Sequence, residues 1–172
     1  NVYGIDIKKE YSEEGGKNYP EIKDRLYSYD GEKLPFESES FDTVLMFDVI
    51  EHISGIENFL KNEVNRVLKK DGCLIFQTPN KFINIPWEII NKRSLSAYKE
   101  YHCSLQTKNS LESILEKAGF RDIKVEKNNI VTEHNKKKIR EKIGFPAIPV
   151  LYLLQIMPIF LFPNLWGYCK KK

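Results

Sequence analysis

Asp48, Glu51 and His52 are the residues whose types and spacing first suggest chemistry. They close the stretch Phe41-Asp42-Thr43-Val44-Leu45-Met46-Phe47-Asp48-Val49-Ile50-Glu51-His52-Ile53, in which an apolar run stops abruptly at an acid. Carboxylates and an imidazole can accept, hold and pass protons. A run that short, β-branched and aromatic, reads as a strand buried on both faces of a parallel sheet. In open α/β sheets, ligands bind beyond the carboxyl ends of the strands. The three polar residues therefore fall where a site is expected. The competing reading of Glu51-His52 is a helix-start Glu beside a partly buried, hydrogen-bonded His.

The elements that must position them can be read in order. Val2 to Ile7 reads as a short strand ending at Asp6, and Leu26 to Tyr29 as another, followed by the turn Asp30-Gly31 and then Leu34-Pro35-Phe36. Lys8 to Lys23, polar with Gly15-Gly16 and Pro20, reads as a loop or a poor helix. Ser54 and Glu57 have the spacing of a capping box. Ile56, Phe59, Leu60, Val64, Val67 and Leu68 then make the apolar stripe of a helix. Lys69 and Lys70 suit its negative end, and Gly72 its left-handed stop. Cys73-Leu74-Ile75-Phe76 is a second apolar strand ending at Gln77-Thr78-Pro79-Asn80, so the unit implies a right-handed parallel crossover. Pro86 to Tyr101 is expected to be helical in part. Thr107 caps a helix carrying Leu111, Ile114, Leu115 and Ala118 and ending at Gly119. Arg121 to Val131 reads as a strand, and Lys136-Lys137-Lys138 with Arg140 and Lys142 as a basic run that leaves His134 in solvent.

Bulk properties narrow the class. A chain of 172 residues is one domain with a real core. Its 27 basic and 24 acidic residues leave +3, too little to argue for nucleic acid. Cys73, Cys103 and Cys169 follow no metal spacing and read as reduced thiols of a cytosolic protein. The chain opens on Asn1-Val2-Tyr3-Gly4, inside a strand-like run, with neither an initiator Met nor a signal-peptide layout. It is expected to be the remainder of something longer.

Taken in order, Tyr3-Gly4-Ile5-Asp6, Asp30-Gly31 with Leu34-Pro35-Phe36, Ser40-Phe41-Asp42 leading to Glu51-His52, Glu63 with Arg66-Val67-Leu68-Lys69-Lys70-Asp71-Gly72, and Leu115 with Ala118-Gly119-Phe120 resemble the class I S-adenosylmethionine-dependent methyltransferases. The resemblance is to the type 11-like group that modifies small molecules and glycans. It runs from Val2 to Phe120 and more weakly to Lys170. It implies an α/β fold: a Rossmann-like, mostly parallel sheet with helices on both faces and an antiparallel last strand, in one domain over 1–172. It also implies that the family's first strand, first helix and glycine-rich loop lie outside this chain. The chain alone is therefore expected to bind cofactor weakly or not at all, and to be unstable.

The resemblance assigns roles. Asp6 would accept both ribose hydroxyls of S-adenosylmethionine, a task suited to a carboxylate. Asp30 would accept from the adenine amine while the Gly31 amide approaches the ring, and Ile7 would pack on the adenine face or in the core. Phe47 and Asp48 would border the methionine end through their carbonyls. Glu51 and His52 would lie near the methyl group or acceptor; some relatives hold a divalent metal with this pair, although none is expected here. His102 would face the substrate, as a general base or as an ordinary loop histidine; imidazoles as a class titrate near neutrality. The acceptor is expected to be a small molecule, a sugar or a lipid-linked compound, chosen by Lys81 to Gln106 and Ile130 to Pro163. Two alternatives stay open. One is a non-catalytic relative acting as a binding or membrane-docked partner. The other is a nicotinamide-dependent oxidoreductase, which Asp6 permits but Asp30 and Leu34-Pro35-Phe36 fit poorly.

Phe145 to Trp166 is nearly all apolar and broken by four prolines. The favoured reading is an acceptor-pocket lid, an insertion at about 145–163 before an antiparallel edge strand at Leu165 to Cys169. The other is an element of 145–166 lying in a membrane interface, its ends marked by basic clusters and Trp166, Tyr152 and Tyr168. The expected location is cytoplasmic, and peripheral at a membrane under the second reading.

Overall fold

The strands form two sheets, one parallel pair and one mixed sheet of four. The structure, a computed structural model, describes residues 1–94, 96, 102–128, 131–142 and 148–172. Strand β1, Gly4–Asp6, runs parallel to β2, Leu26–Ser28, with Asp6 opposite Ser28. They are joined by α1, Lys9–Asn18, and a 3-10 turn at Pro20–Arg25, so a segment without an apolar period is nonetheless helical. Packing decides this: α1 lies on β1 and β2, and Ser12 Oγ donates to the Tyr27 carbonyl at 2.8 Å.

The larger sheet has the order β3-β4-β6-β5, with β3 at Phe41–Phe47, β4 at Leu68–Pro79, β5 at Phe120–Lys127 and β6 at Asn164–Lys171. β3 and β4 are parallel, and β6 is antiparallel to both β4 and β5. β6 is therefore not the edge strand expected; it is inserted between β4 and β5. Gly167 permits this, since a Cβ there would come within 2.6 Å of Phe76 Cζ. The two sheets meet through an aromatic cluster in which Phe36 stands edge-on to Phe41, Tyr27 and Tyr3 at centroid distances of 4.8, 5.4 and 6.0 Å.

β3 is not buried on both faces. Leu45 is 56% and Phe47 44% exposed, because among the described residues β4 is the only strand paired with β3. The crossover helix α2 starts at Ile56–Phe59, widens into a π turn at Leu60–Val64 and ends at Asn65–Val67. The Ser54–Glu57 capping box does not form: Gly55, with φ 69°, is the N-cap, and no side chain caps the first turn. The chain then enters β4 at Leu68, so Lys69 and Lys70 are strand residues, and the left-handed residue is Asp71 (φ 62°) rather than Gly72. The amides of Glu39 and Ser40 take the last helical carbonyls, of Arg66 and Val67, at 2.9 Å.

Helix α3 spans Lys81–Lys92 and contains Pro86; the rest of the expected 86–101 helix falls largely outside the described residues. Helix α4, Lys108–Lys117, is capped by Thr107 as expected, with Ser110 completing the box, and Gly119 follows its end at φ 92°. Ile130 of the strand expected over 121–131 lies outside the described residues. The basic run is helical in α5, Glu133–Lys142, and the apolar stretch forms α6, Ile148–Ile156, and a 3-10 turn at Ile159–Leu161. Among the described residues no helix is long and apolar enough to cross a membrane. Leu60 and Val64 of α2, Leu111 and Leu115 of α4, and Leu74, Phe76, Phe120 and Leu165 of the sheet form the core.

Candidate active site

Three groups of site residues converge on the carboxyl ends of β1 to β4. At β1, Asp6 Oδ1 accepts from the Lys8 amide at 2.8 Å, and the Asp6 carbonyl accepts from the Tyr29 amide at 3.1 Å. That bond brings the turn after β2 beside Asp6. Asp30 Oδ1 accepts from the amides of Glu32 (2.9 Å) and Lys33 (3.2 Å), which hold its carboxyl below the ordinary range. Gly31 takes φ 88°, and a Cβ on it would lie 3.8 Å from Ile7 Cγ2. Asp6, Ile7, Asp30 and Gly31 are thus neighbours, with Ile7 largely exposed. Burial and then the Asp30, Asp6 and Glu63 carboxylates raise the Tyr29 phenol.

A further pair, Glu63 and Arg66, was legible as motif members but not as a brace. Glu63 Oε2 accepts from the Leu34 amide at 2.7 Å and from Arg66 Nη2 at 2.6 Å. Arg66 also donates to the carbonyls of Phe36 (2.6 Å) and Leu34 (3.0 Å). One ion pair thus holds the loop after Asp30-Gly31 onto α2. Removing it with Arg66→Ala should destabilise the protein by about 2 kcal/mol, since hydrogen bonds to charged groups contribute ~1.5–3 each. Burial works against the Glu63 carboxylate, but Arg66 and the Leu34 amide bring it net below the ordinary range. Its folded pKa is depressed, so the contribution is present above the unfolded value of about 4.3 and lost as pH falls through the lower folded one. Thermal melts should show the advantage of wild type over the variant narrowing in acid to what the Phe36 and Leu34 carbonyls sustain; an advantage of unchanged size there would disprove the part of the Glu63 carboxylate in the brace.

The central acids are organised by the polar tail of β4. Asp48 sits at φ 51°, a region few residues other than glycine adopt. Its amide donates to the Gln77 carbonyl at 3.0 Å, and Gln77 Nε2 donates to its Oδ1 at 2.9 Å. Glu51, in a 3-10 turn at Ile50–His52, is 1% exposed and accepts from Thr78 Oγ1 at 2.9 Å. His52 is about half exposed, with Nε2 3.7 Å from Glu51 Oε1. Its ring lies 5.1 Å from that of His102, whose Nδ1 is buried without a hydrogen-bond partner. One donor atom from each of Glu51, His52 and His102 lies within 4.8 Å of the other two. A tetrahedral ion at ordinary bond lengths would hold its ligands about 3.4 Å apart. The Ser104 amide, 2.9 Å from the Glu51 carbonyl, ties the His102 segment to the turn. His134 is exposed, as expected.

Asn80, 1% exposed, completes the tail. Its Nδ2 donates to the carbonyls of Ile159, Phe160 and Phe162 at 3.2, 3.2 and 2.9 Å, while Oδ1 caps α3 through the Phe82 amide at 3.2 Å. In the sequence, Gln77-Thr78-Pro79-Asn80 showed only as the end of an apolar strand.

Residues 1–76 match the family described as "Methyltransferase domain". An S-adenosylmethionine-dependent methyltransferase from Mesorhizobium loti superposes with a TM-score of 0.69 at 15% identity, covering 99% of this chain and 80% of that one. The chain shares the fold of that methyltransferase. An uncharacterised protein of Methanocaldococcus jannaschii is 40% identical over 77 residues, 44% of this chain and 30% of that protein. A sarcosine/dimethylglycine N-methyltransferase of Aphanothece halophytica is 37% identical over 67 residues, 38% and 24% respectively. The chain thus spans between 24% and 30% of the length of these two relatives. Both matched segments are shorter than half the chain.

The three thiols differ sharply in this setting. Cys103 is exposed, with Sγ 3.7 Å from the Glu51 carbonyl, whereas burial, and then Cys73, push buried Cys169 up to about 12. Iodoacetamide should therefore modify Cys103 well before Cys169. Peptide mass mapping that finds Cys169 labelled first would contradict the arrangement.

Proposed function

We propose that the protein transfers a methyl group from S-adenosylmethionine to a small-molecule, sugar or lipid-linked acceptor. The observation that carries this reading is the meeting of Asp6, Ile7, Asp30 and Gly31 at the ends of β1 and β2, with Phe47 closing β3 and Asp48 directly after it. The donor set suits the cofactor. The carboxylates of Asp6 and Asp30 accept hydrogen bonds only through Oδ1 among the described residues, which leaves Oδ2 of each for hydroxyl or amine donors. Asp6 would hold the ribose, Asp30 and Gly31 the adenine, and the carbonyls of Phe47 and Asp48 the methionine ammonium group. Bound S-adenosylmethionine supplies an electrophilic methyl on a sulfonium that is already a good leaving group.

The chain's own task is alignment and exclusion of water. Glu51, held by Thr78, steadies His52, and His102 offers a buried ring nitrogen, without a partner among the described residues, for a hydroxyl or amine proton. The nicotinamide reading is disfavoured because β6 is antiparallel to both neighbours, and Asp30 and its loop have no part in it. A lipid-linked acceptor would agree with contact between residues 145–166 and a membrane surface. Incubating the full-length protein with S-adenosylmethionine and pooled candidate acceptors, then seeking a 14-Da gain by mass spectrometry, tests the proposal. Cofactor binding without transfer to any acceptor would favour a non-catalytic role.

A further inference from the structure

α3 and α6 leave the sheet at the same end. α3 begins two residues after Pro79 of β4, and α6 leads through Ile159–Leu161 into β6, whose Asn164 pairs with Pro79. Asn80 joins the two segments, and the Phe82 and Phe160 rings meet edge-on at 6.5 Å. They form one surface. On it Phe82, Trp87, Ile90, Leu153, Ile156 and Phe160 are each more than half exposed, Ile156 at 77%. α6 is anchored nonetheless, through buried Leu151 and through Lys127 Nζ, which donates to the Met157 carbonyl at 2.9 Å. A single exposed leucine means nothing, but a joined apolar patch marks something that covers it.

The charges around the patch indicate what that is. Exposed Lys81 and Arg93 stand at the two ends of α3. α5, packed on α6, has five basic and two acidic residues, and its Lys136 Nζ lies 5.8 Å from the centre of the Tyr152 ring. α6 itself carries no charge. Aromatic and aliphatic side chains rimmed by lysine and arginine complement a bilayer surface with anionic headgroups. Against a second copy of this chain, the same rims would repel. Nine residues of α6 measure about 13.5 Å, less than half of the ~30 Å hydrocarbon core, so the helix can lie in the interface but not span it.

We propose that the α3–α6 patch docks the protein on an anionic membrane surface, both helices lying in the plane of the headgroups. Docking requires nothing of the chemistry proposed above, and it is read without methyl transfer. In co-sedimentation, the full-length protein should pellet with vesicles of phosphatidylcholine and phosphatidylglycerol and much less with phosphatidylcholine alone. The pair Trp87→Glu and Ile156→Glu should lower vesicle affinity at least about tenfold. Lys81→Glu or Lys137→Glu should lower it roughly fivefold. All four positions are exposed, and unchanged circular dichroism would confirm that the variants fold. Three results would overturn the proposal: no binding to either vesicle, binding indifferent to the apolar pair, or a solution dimer that the apolar pair dissociates.

Discussion

Replacing His102 by Ala in the full-length protein should lower kcat by about 10²- to 10⁴-fold, the usual contribution of a positioned general base, with cofactor affinity little changed. The reasoning rests on a ring nitrogen buried without a partner beside the ends of β3 and β4, in a segment that the Ser104–Glu51 backbone bond holds in place. The variant should keep the wild-type melting temperature and cofactor affinity, whereas a merely structural loss would lower both together with the rate. The Gln variant, which preserves polarity but not proton transfer, should resemble Ala. A kcat within threefold of wild type, measured with any acceptor found to be methylated, would remove His102 from the mechanism.

The second large effect belongs to cofactor binding. Asp6→Ala should weaken S-adenosylmethionine binding by about 10- to 100-fold, equivalent to roughly 1.5–3 kcal/mol for hydrogen bonds to a charged acceptor. Asp6→Asn should fall between, because an amide keeps one acceptor oxygen but loses the charge. Titration calorimetry on the full-length protein reads both. Among the described residues the Asp6 carboxylate takes only the Lys8 amide, so its loss should cost little stability, and an unchanged melting temperature would separate binding from folding. Equal affinities for the three proteins would mean that the ribose is held elsewhere.

Much of this architecture was legible in the chain. Apolar runs marked β3 and β4, the Asp-Gly turn marked the loop after β2, and Thr107 and Gly119 marked both ends of α4, because each depends on neighbours in sequence. What was hidden depends on distant partners. Nothing local shows that Ser54 leaves its cap to Gly55, or that Asp71 takes the left-handed position while a Cβ on Gly72 would come within 2.8 Å of the Lys69 carbonyl. The position of β6 between β4 and β5 follows from Gly167 fitting over Phe76, 91 residues earlier in the chain. In the same way, the site acids were visible as residues, while their supports were not. Gln77, Thr78 and Arg66 matter through bonds spanning 27 to 32 residues.

Asn80 also bears on how such a protein can be altered. Its amide serves two masters, the first turn of α3 and three carbonyls around the turn that precedes β6. The two stretches expected to choose the acceptor are therefore not separate modules. A chimera that imports either one from a relative would inherit half of a joint and leave buried carbonyls or a helix start without their amide. Changes of acceptor preference should succeed when both stretches travel together, and a repertoire built by recombination would show them inherited as one block.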